Sequence, residues 1–423
     1  MLQITYIREN KELVIKGLLK KRYKEAESQI NLVLELDQKR RETQKVLDDL
    51  LAERNAKAKE IGNLMKSGQK DAAEKLKNET AELKNKSEKL TADLTAFEEE
   101  LTQTLLKIPN VPHESVPEGG SAEENVEVFK SGSIPNLPET ALPHWELIKK
   151  YDIIDFEVGT KITGAGFPVY KGKGAKLQRA LINYFLDQSE KAGYKEILPP
   201  ILINADSGFG TGQLPDKDGQ MYHATLDNYY LIPTAEVPIT NIYRDVILKE
   251  EDLPIKNAGY TPCFRREAGA WGANVRGLNR LHQFDKVEIV QITLPEKSYA
   301  ALETMVDHVK ELLNSLQLPY RILKLCGGDM SFTSALTYDF EVYSAAQKRW
   351  LEVSSVSNFE TYQANRLKLR YKSEGKTQLL HTLNGSALAL PRIVAALLEN
   401  NQTDQGIKVP EVLIPYTRFD YIN

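Results

Sequence analysis

The chain has 423 residues, 41% of them apolar and 27% charged, with a net charge of −4. That length is too great for one ordinary domain, and the composition, rich enough in apolar residues for two cores, excludes a disordered or low-complexity chain. With no run of 18 apolar residues, a charged N-terminus where a signal peptide needs an apolar stretch, and only two cysteines (Cys263 and Cys326), the chain reads as cytoplasmic, with no membrane partner and no disulfide framework.

From about residue 26 to 106 proline is absent, glycine is nearly absent, and Glu, Lys, Leu and Ala dominate, which is the composition of long helices. Leu76, Thr80, Leu83, Ser87, Leu90, Leu94, Phe97 and Leu101 recur at alternating spacings of four and three, a heptad seam. Ser67-Gly68-Gln69-Lys70 interrupts the pattern, so two antiparallel helices joined by a short turn are predicted, about 50–60 Å long. Residues 54–89, around that turn, hold ten Lys/Arg against six Asp/Glu. Such a basic tip is either a solvated coiled-coil surface or a surface for phosphates.

Prolines at 109, 112, 117, 135, 138 and 143, with Gly119-Gly120, mark residues 108–144 as a linker. The predicted domains are therefore 1–107, an N-terminal helical domain, and 145–423, a second domain. In the latter, helices are predicted at 175–192, 296–316 and 392–401. Strands are predicted at 196–203 (broken by Pro199-Pro200), 229–232, 259–265, 282–293, 339–342 and 349–355. Strands that follow one another without regular βαβ alternation predict an α+β fold with a largely antiparallel sheet. No GxGxxG follows a strand and no GxxxxGK[ST] occurs, so a dinucleotide fold and a P-loop are both excluded. The six histidines do not cluster at metal-ligand spacing, and no structural zinc is expected.

The densest chemistry lies at 263–288, where two strand-like runs enclose a glycine-rich loop. An arginine on such a strand can grip a phosphate with its planar fork, and an aromatic on the returning strand can stack on a base. Taken singly, Arg265 and Glu267 would as readily be a surface ion pair, Phe284 a core aromatic, Thr234 a turn residue and Ser386 a helix cap.

The ensemble resembles the seryl-tRNA synthetase family, a branch of the class II aminoacyl-tRNA synthetases. Residues 263–288 are similar to that family's second signature motif. His381-Thr382-Leu383-Asn384-Gly385-Ser386-Ala387-Leu388-Ala389 with Arg392 is similar to the third motif, and 176–200 to the first. Gly210-Thr211-Gly212-Gln213-Leu214-Pro215, Pro233-Thr234-Ala235-Glu236-Val237-Pro238, Asp339-Phe340-Glu341-Val342 and 352–359 resemble further family segments, in the same order along the chain. The helical hairpin resembles the family's tRNA-binding arm.

The resemblance implies a serine–tRNA ligase that uses ATP with Mg²⁺, a homodimer built on the first motif, and tRNA(Ser) as partner, with tRNA(Sec) a second acceptor by the same analogy. It implies that Arg265 and Arg392 are catalytic, Arg265 holding the α-phosphate and Arg392 the γ-phosphate. Arg266, Glu267, Phe284, Glu352, Val353, Ser354 and Ser355 would complete the ATP site, with Glu352 and Ser355 holding the magnesium. Thr234, Ala235, Glu236, Glu288, Asn384 and Ser386 would bind L-serine, and Glu288 would read its hydroxyl. His282 would serve a structural hydrogen bond instead of acid–base chemistry. Where the family's third motif carries glycines this chain has Ala387 and Pro391, and Pro391 suits the first turn of a helix beginning near Arg392. Two other readings differ in class: a synthetase-like ligase with a non-tRNA acceptor, and a non-catalytic tRNA-binding paralogue.

Overall fold

The computed structural model describes residues 1–267 and 276–423. Segment 268–275, which includes Gly269, Trp271 and Gly272 of the glycine-rich loop, lies outside the described residues. The chain divides into two compact units, Met1–Leu19 with Tyr23–Pro109, and Lys20–Arg22 with Asn110–Asn423.

The first unit is dominated by α1 (Ala26–Lys66) and α2 (Lys70–Leu105). Forty-one residues at a rise of 1.5 Å make α1 about 60 Å long. It ends because Gly68 takes a φ of +79°, which only glycine adopts without strain. The Gln69 amide then bonds the Leu64 carbonyl at 3.0 Å and the Gly68 amide the Met65 carbonyl at 3.3 Å, satisfying carbonyls that the helix end leaves open. The seam is apolar at Val33, Leu36 and Leu47 of α1 and at Ala73 and Leu101 of α2. Between these positions polar pairs interrupt it: Lys57 pairs with Glu79 at 2.7 Å and Arg54 donates to the Ser87 hydroxyl at 3.5 Å.

The second unit is built on an eight-stranded sheet: β1 (Val126–Ser131), β2 (Lys195–Glu196), β3 (Ile255–Phe264), β4 (Gln283–Thr293), β5 (Tyr320–Lys324), β6 (Leu336–Ser344), β7 (Arg349–Asn358) and β8 (His381–Ala389). Their order is β1-β5-β6-β7-β8-β4-β3-β2. Only the pairing of short β2 with β3 is parallel. Helices α3 (Gly172–Lys191), α5 (Ser298–Ser315) and α7 (Leu390–Asn400) supply one large core, with α4 (Glu236–Asn241) and α6 (Thr361–Leu367) elsewhere in the unit. Leu177, Leu181 and Phe185 of α3, Leu302, Met305 and Val309 of α5, and Ile393, Val394 and Leu397 of α7 meet Val287, Ile289, Phe340, Val353 and Val356 of the sheet. Each such side chain contributes about 1.5–3 kcal/mol by leaving water. The fold is the α+β, antiparallel-rich class expected.

Two segments differ from the sequence reading. The proline-rich stretch expected to be a linker contains β1, which pairs with β5 at the edge of the sheet. The prolines lie outside Val126–Ser131, so every residue of that run keeps the N–H a ladder needs. The broken strand expected at 196–203 is two separate pieces. Lys195–Glu196 joins β3, whereas Leu202–Ile203 joins Tyr229–Leu231 in a second small sheet. Pro199 and Pro200 lack the amide hydrogens that would have continued one ladder.

Candidate active site

Because side chains alternate along a strand, Val287 and Ile289 of β4 enter the core while Lys286 and Glu288 line the opposite face, and Phe284, at the start of the strand, is half-buried and packs partly against that core. β8 lies against β4 with Ser386 opposite Glu288 across an irregular register. On the other side Gly259 of β3 faces Glu288. A side chain there would come within 2.8 Å of Ile239 on α4, so glycine allows α4 to close against the sheet.

Glu288 is fully buried and has three donors. Lys286 Nζ lies 2.5 Å from its Oε2, Asn384 Nδ2 donates to Oε1 at 3.1 Å, and the Ser386 hydroxyl donates to Oε2 at 3.5 Å. A carboxylate accepts about four hydrogen bonds, so one position remains for a further donor. Lys286 also donates to the Thr234 hydroxyl at 2.9 Å, and that hydroxyl accepts the Glu236 amide at 3.3 Å. Glu236 is buried and accepts from Gln363 Nε2 at 2.6 Å. Burial pushes its carboxyl up to about 7, with the nearby Glu288 adding to the effect and Gln363, Lys286 and Arg265 opposing it. Among the described residues Glu236 forms no ion pair. The structure therefore brings Thr234, Glu236, Glu288, Asn384 and Ser386 into one polar cluster. Ala235 lies beside them with its side chain packed on Ile239 and Val290.

Further along the same face, Arg265 follows directly on β3. Its Nε donates to the Pro233 carbonyl at 3.3 Å, and its guanidinium carbon lies 5.2 Å from the centre of the Phe284 ring. The His282 Nδ1–H donates to the Arg265 carbonyl at 3.1 Å, and the His282 ring stacks on Phe167. Glu267 takes a φ of +50° and pairs with Arg280 at 3.1 Å. The Arg266 amide donates to the Gln220 carbonyl. Arg392 stands on the first turn of α7, after Pro391. Its Nε donates to the Asn279 carbonyl at 2.9 Å, and its Nη1 to the Glu352 carbonyl at 2.7 Å. The Glu352 carboxylate stands 3.9 Å from Nη1, beyond hydrogen-bond distance and half exposed. A guanidinium held chiefly by two carbonyls keeps much of its positive charge for a polyanion.

The profile described as seryl-tRNA synthetase N-terminal domain matches residues 1–112, and that described as tRNA synthetase class II core domain (G, H, P, S and T) matches 222–401. A serine–tRNA ligase of Salinibacter ruber is 49% identical over 393 residues, 92% of each chain. One from Chlorobaculum parvum is 48% identical over the whole of both chains. The chain belongs to the seryl-tRNA synthetase family. A crystal structure of the seryl-tRNA synthetase of Pyrococcus horikoshii complexed with ATP superposes with a TM-score of 0.93 at 32% identity, covering 99% of each chain.

Within this synthetase the neighbouring strands β6 and β7 hold a second acidic group. Asp339 is paired in register with Ser355. Burial, and then the nearby Glu352, raises its carboxyl well above the usual range, while the Ser355 hydroxyl opposes the shift. Its Oδ1 is shut off from solvent without a hydrogen-bond donor. Two carboxylates and a hydroxyl around an unmet oxygen are a hard-oxygen donor set of the kind Mg²⁺ prefers. Val353 and Ser354 lie differently from their neighbours. The Val353 side chain is in the core, and the Ser354 hydroxyl donates to the Ser386 carbonyl at 2.6 Å.

Four participants carry no role in the sequence reading: Lys286, Asn279 and Thr382, which lie inside the matched motifs, and Gln363, which lies outside them. Lys286 was within reach, since two residues before Glu288 on one strand means the same face. Gln363 carries no local signal, because its partner Glu236 lies 127 residues away in sequence.

Proposed function

We propose that the protein is a serine–tRNA ligase that converts L-serine and ATP to seryl-adenylate and pyrophosphate, then transfers the seryl group to the 3′ end of tRNA(Ser). The observation that carries the serine assignment is the buried Glu288, held by Lys286, Asn384 and Ser386 with room for one more donor. Serine offers a hydroxyl for that position. Alanine would leave it empty, and a site with an unpaired buried polar group rejects the analogue by on the order of 10⁴–10⁵. Glu236, a buried carboxylate without a cation of its own among the described residues, complements the substrate's ammonium group.

In the first step the serine carboxylate oxygen bonds to the α-phosphorus, and the bond from that phosphorus to the β-bridging oxygen breaks. The nucleophile is already ionised at neutral pH, so the protein's task is alignment and charge neutralisation. Arg265 serves the α-phosphate and Arg392 the γ-phosphate. Phe284 offers a face to adenine, with Arg266 and Glu267 beside the nucleotide. Glu352 and Ser355, with Asp339 beside them, would hold the Mg²⁺ that accompanies ATP, and its charge would offset that of the phosphates. In the second step a hydroxyl of the terminal adenosine bonds to the seryl carbonyl carbon and AMP leaves. The lysine-rich end of the hairpin suits the tRNA backbone, whose phosphates attract exposed cations. We further propose a cytoplasmic homodimer with residues 1–107 for tRNA and 145–423 for catalysis, the intervening 108–144 adding β1 to the catalytic sheet, and tRNA(Sec) as a second acceptor.

The test is charging of purified tRNA(Ser) with serine, threonine and alanine, beside serine-dependent ATP–pyrophosphate exchange. Exchange without charging would favour a ligase with another acceptor. Binding of tRNA without exchange would favour a non-catalytic paralogue.

A further inference from the structure

Gln363 sits on α6, outside every signature segment, and is buried. Its amide is oriented without ambiguity. The Thr382 hydroxyl donates to Oε1 at 2.7 Å, and Nε2 donates to the Thr211 carbonyl at 3.1 Å and to Glu236 Oε1 at 2.6 Å. The Thr211 hydroxyl is itself turned toward Gln213 in the same loop. One side chain thus joins β8, the loop at 210–215 and the α4 carboxylate. The charged groups facing Glu236 are Glu288 and Lys286 from β4 and Arg265 at the end of β3. Lys286 is committed to Glu288 and Thr234, and Arg265 to Pro233, so the Gln363 amide is the only side-chain hydrogen-bond donor to Glu236 among the described residues.

We propose that Gln363 is a positioning residue for amino-acid recognition, holding Glu236 as an oriented, ionised acceptor for the substrate's ammonium group. It never touches the reacting atoms. Nε2 occupies one carboxylate oxygen and leaves the other for the substrate. The inference rests on the assignment of Glu236 to serine binding. The physical requirement is plain: a carboxylate buried beside a second carboxylate tends to take up a proton, and a proton on Glu236 removes its attraction for an ammonium. A hydrogen bond to the charged form opposes that protonation, and Glu236 is raised only to about 7 with it in place.

The experiment measures KM for serine and for ATP in pyrophosphate exchange between pH 6 and 9, for the wild type and for Gln363→Met, Gln363→Glu and Glu236→Gln. Gln363→Met should raise the serine KM about tenfold to a hundredfold, leave the ATP KM unchanged, and move the acidic limb of serine binding up by about one pH unit. If the methionine variant does not fold, Gln363→Glu, which keeps the shape and the Thr382 contact, carries the test. Its second carboxylate should move the limb in the same direction. Rises in both KM values without a shift of the limb would mean that Gln363 only supports the fold, and the proposal would be overturned. A serine KM and pH profile unchanged in Glu236→Gln would instead overturn the assignment of Glu236. A limb that is lost in Glu236→Gln and displaced in the Gln363 variants supports both.

Discussion

Lys286 and Glu288 project from one face of β4, with Lys286 Nζ 2.5 Å from Glu288 Oε2 and both side chains shut away from water. The lysine makes a carboxylate tolerable in the interior, and the carboxylate keeps one acceptor position for substrate. Glu288→Ala should therefore raise the serine KM by about 100-fold or more and erase most of the preference for serine over alanine, with ATP KM nearly unaltered. Parallel measurements of the two KM values decide it, and equal losses for both substrates contradict the assignment.

The same pair has a consequence for stability. Lys286→Met leaves Glu288 buried without its counter-ion, at a cost of about 3–5 kcal/mol. The double change Lys286→Met with Glu288→Leu removes both charges and should recover most of that loss. Urea unfolding of the two variants checks the expectation. A double variant as unstable as the single one would show that packing, not charge, set the cost.

Glu236 makes stability depend on pH in a defined sense. Burial raises its carboxyl from an ordinary value of 4.5 to about 7 in the folded protein. The folded state thus binds the proton more tightly than the unfolded state, and this contribution is complete below pH 4.5 and lost as pH rises to about 7. Glu236→Gln cannot lose a proton. Its stability relative to the wild type should grow between pH 5 and pH 8, by on the order of 3 kcal/mol. A difference in unfolding free energy that stays flat across that window would contradict a buried, titrating Glu236.

Gly277 ties the phosphate side of the site to its support. It has a φ of +64°, and an added side chain would come 2.3 Å from His144 Nε2. That nitrogen accepts the Leu278 amide at 2.8 Å, while Nδ1–H donates to the buried Glu399 at 2.7 Å. Two residues on, the Asn279 carbonyl holds Arg392. Gly277→Ala should cost about 2–3 kcal/mol of stability and raise the ATP KM more than the serine KM. Thermal denaturation and exchange kinetics report the two effects separately.

The hairpin is tested by charge. Lys59, Lys66 and Lys75 are exposed near the turn. Reversing all three to glutamate should leave pyrophosphate exchange intact and weaken tRNA binding. The slope of log affinity against log salt concentration should become shallower by about one for each phosphate that a lysine no longer neutralises. An unchanged salt slope would mean that these lysines meet only water.

Much of this protein was legible as sequence. The heptad seam and Gly68 announce two long helices and the turn between them, because helix periodicity and a left-handed glycine are local properties. The strand expected at 282–293, which carries Phe284 and Glu288, was legible for the same reason. The family motifs marked Arg265 and Arg392. Whether 126–131 would remain linker or join a sheet was not a local matter, because it depended on β5, almost two hundred residues away, offering an edge. The resemblance assigned Glu236 to the serine pocket, but its partner could not be read from the chain. Gln363 lies 127 residues beyond it, and only the packing of α6 against β8 and the helix Ala205–Thr211 brings amide and carboxylate to 2.6 Å. Local sequence thus determined the elements and the chemistry each could carry. Tertiary structure decided which charges share a buried space, because the cost of burying a charge depends on neighbours that sequence spacing does not specify.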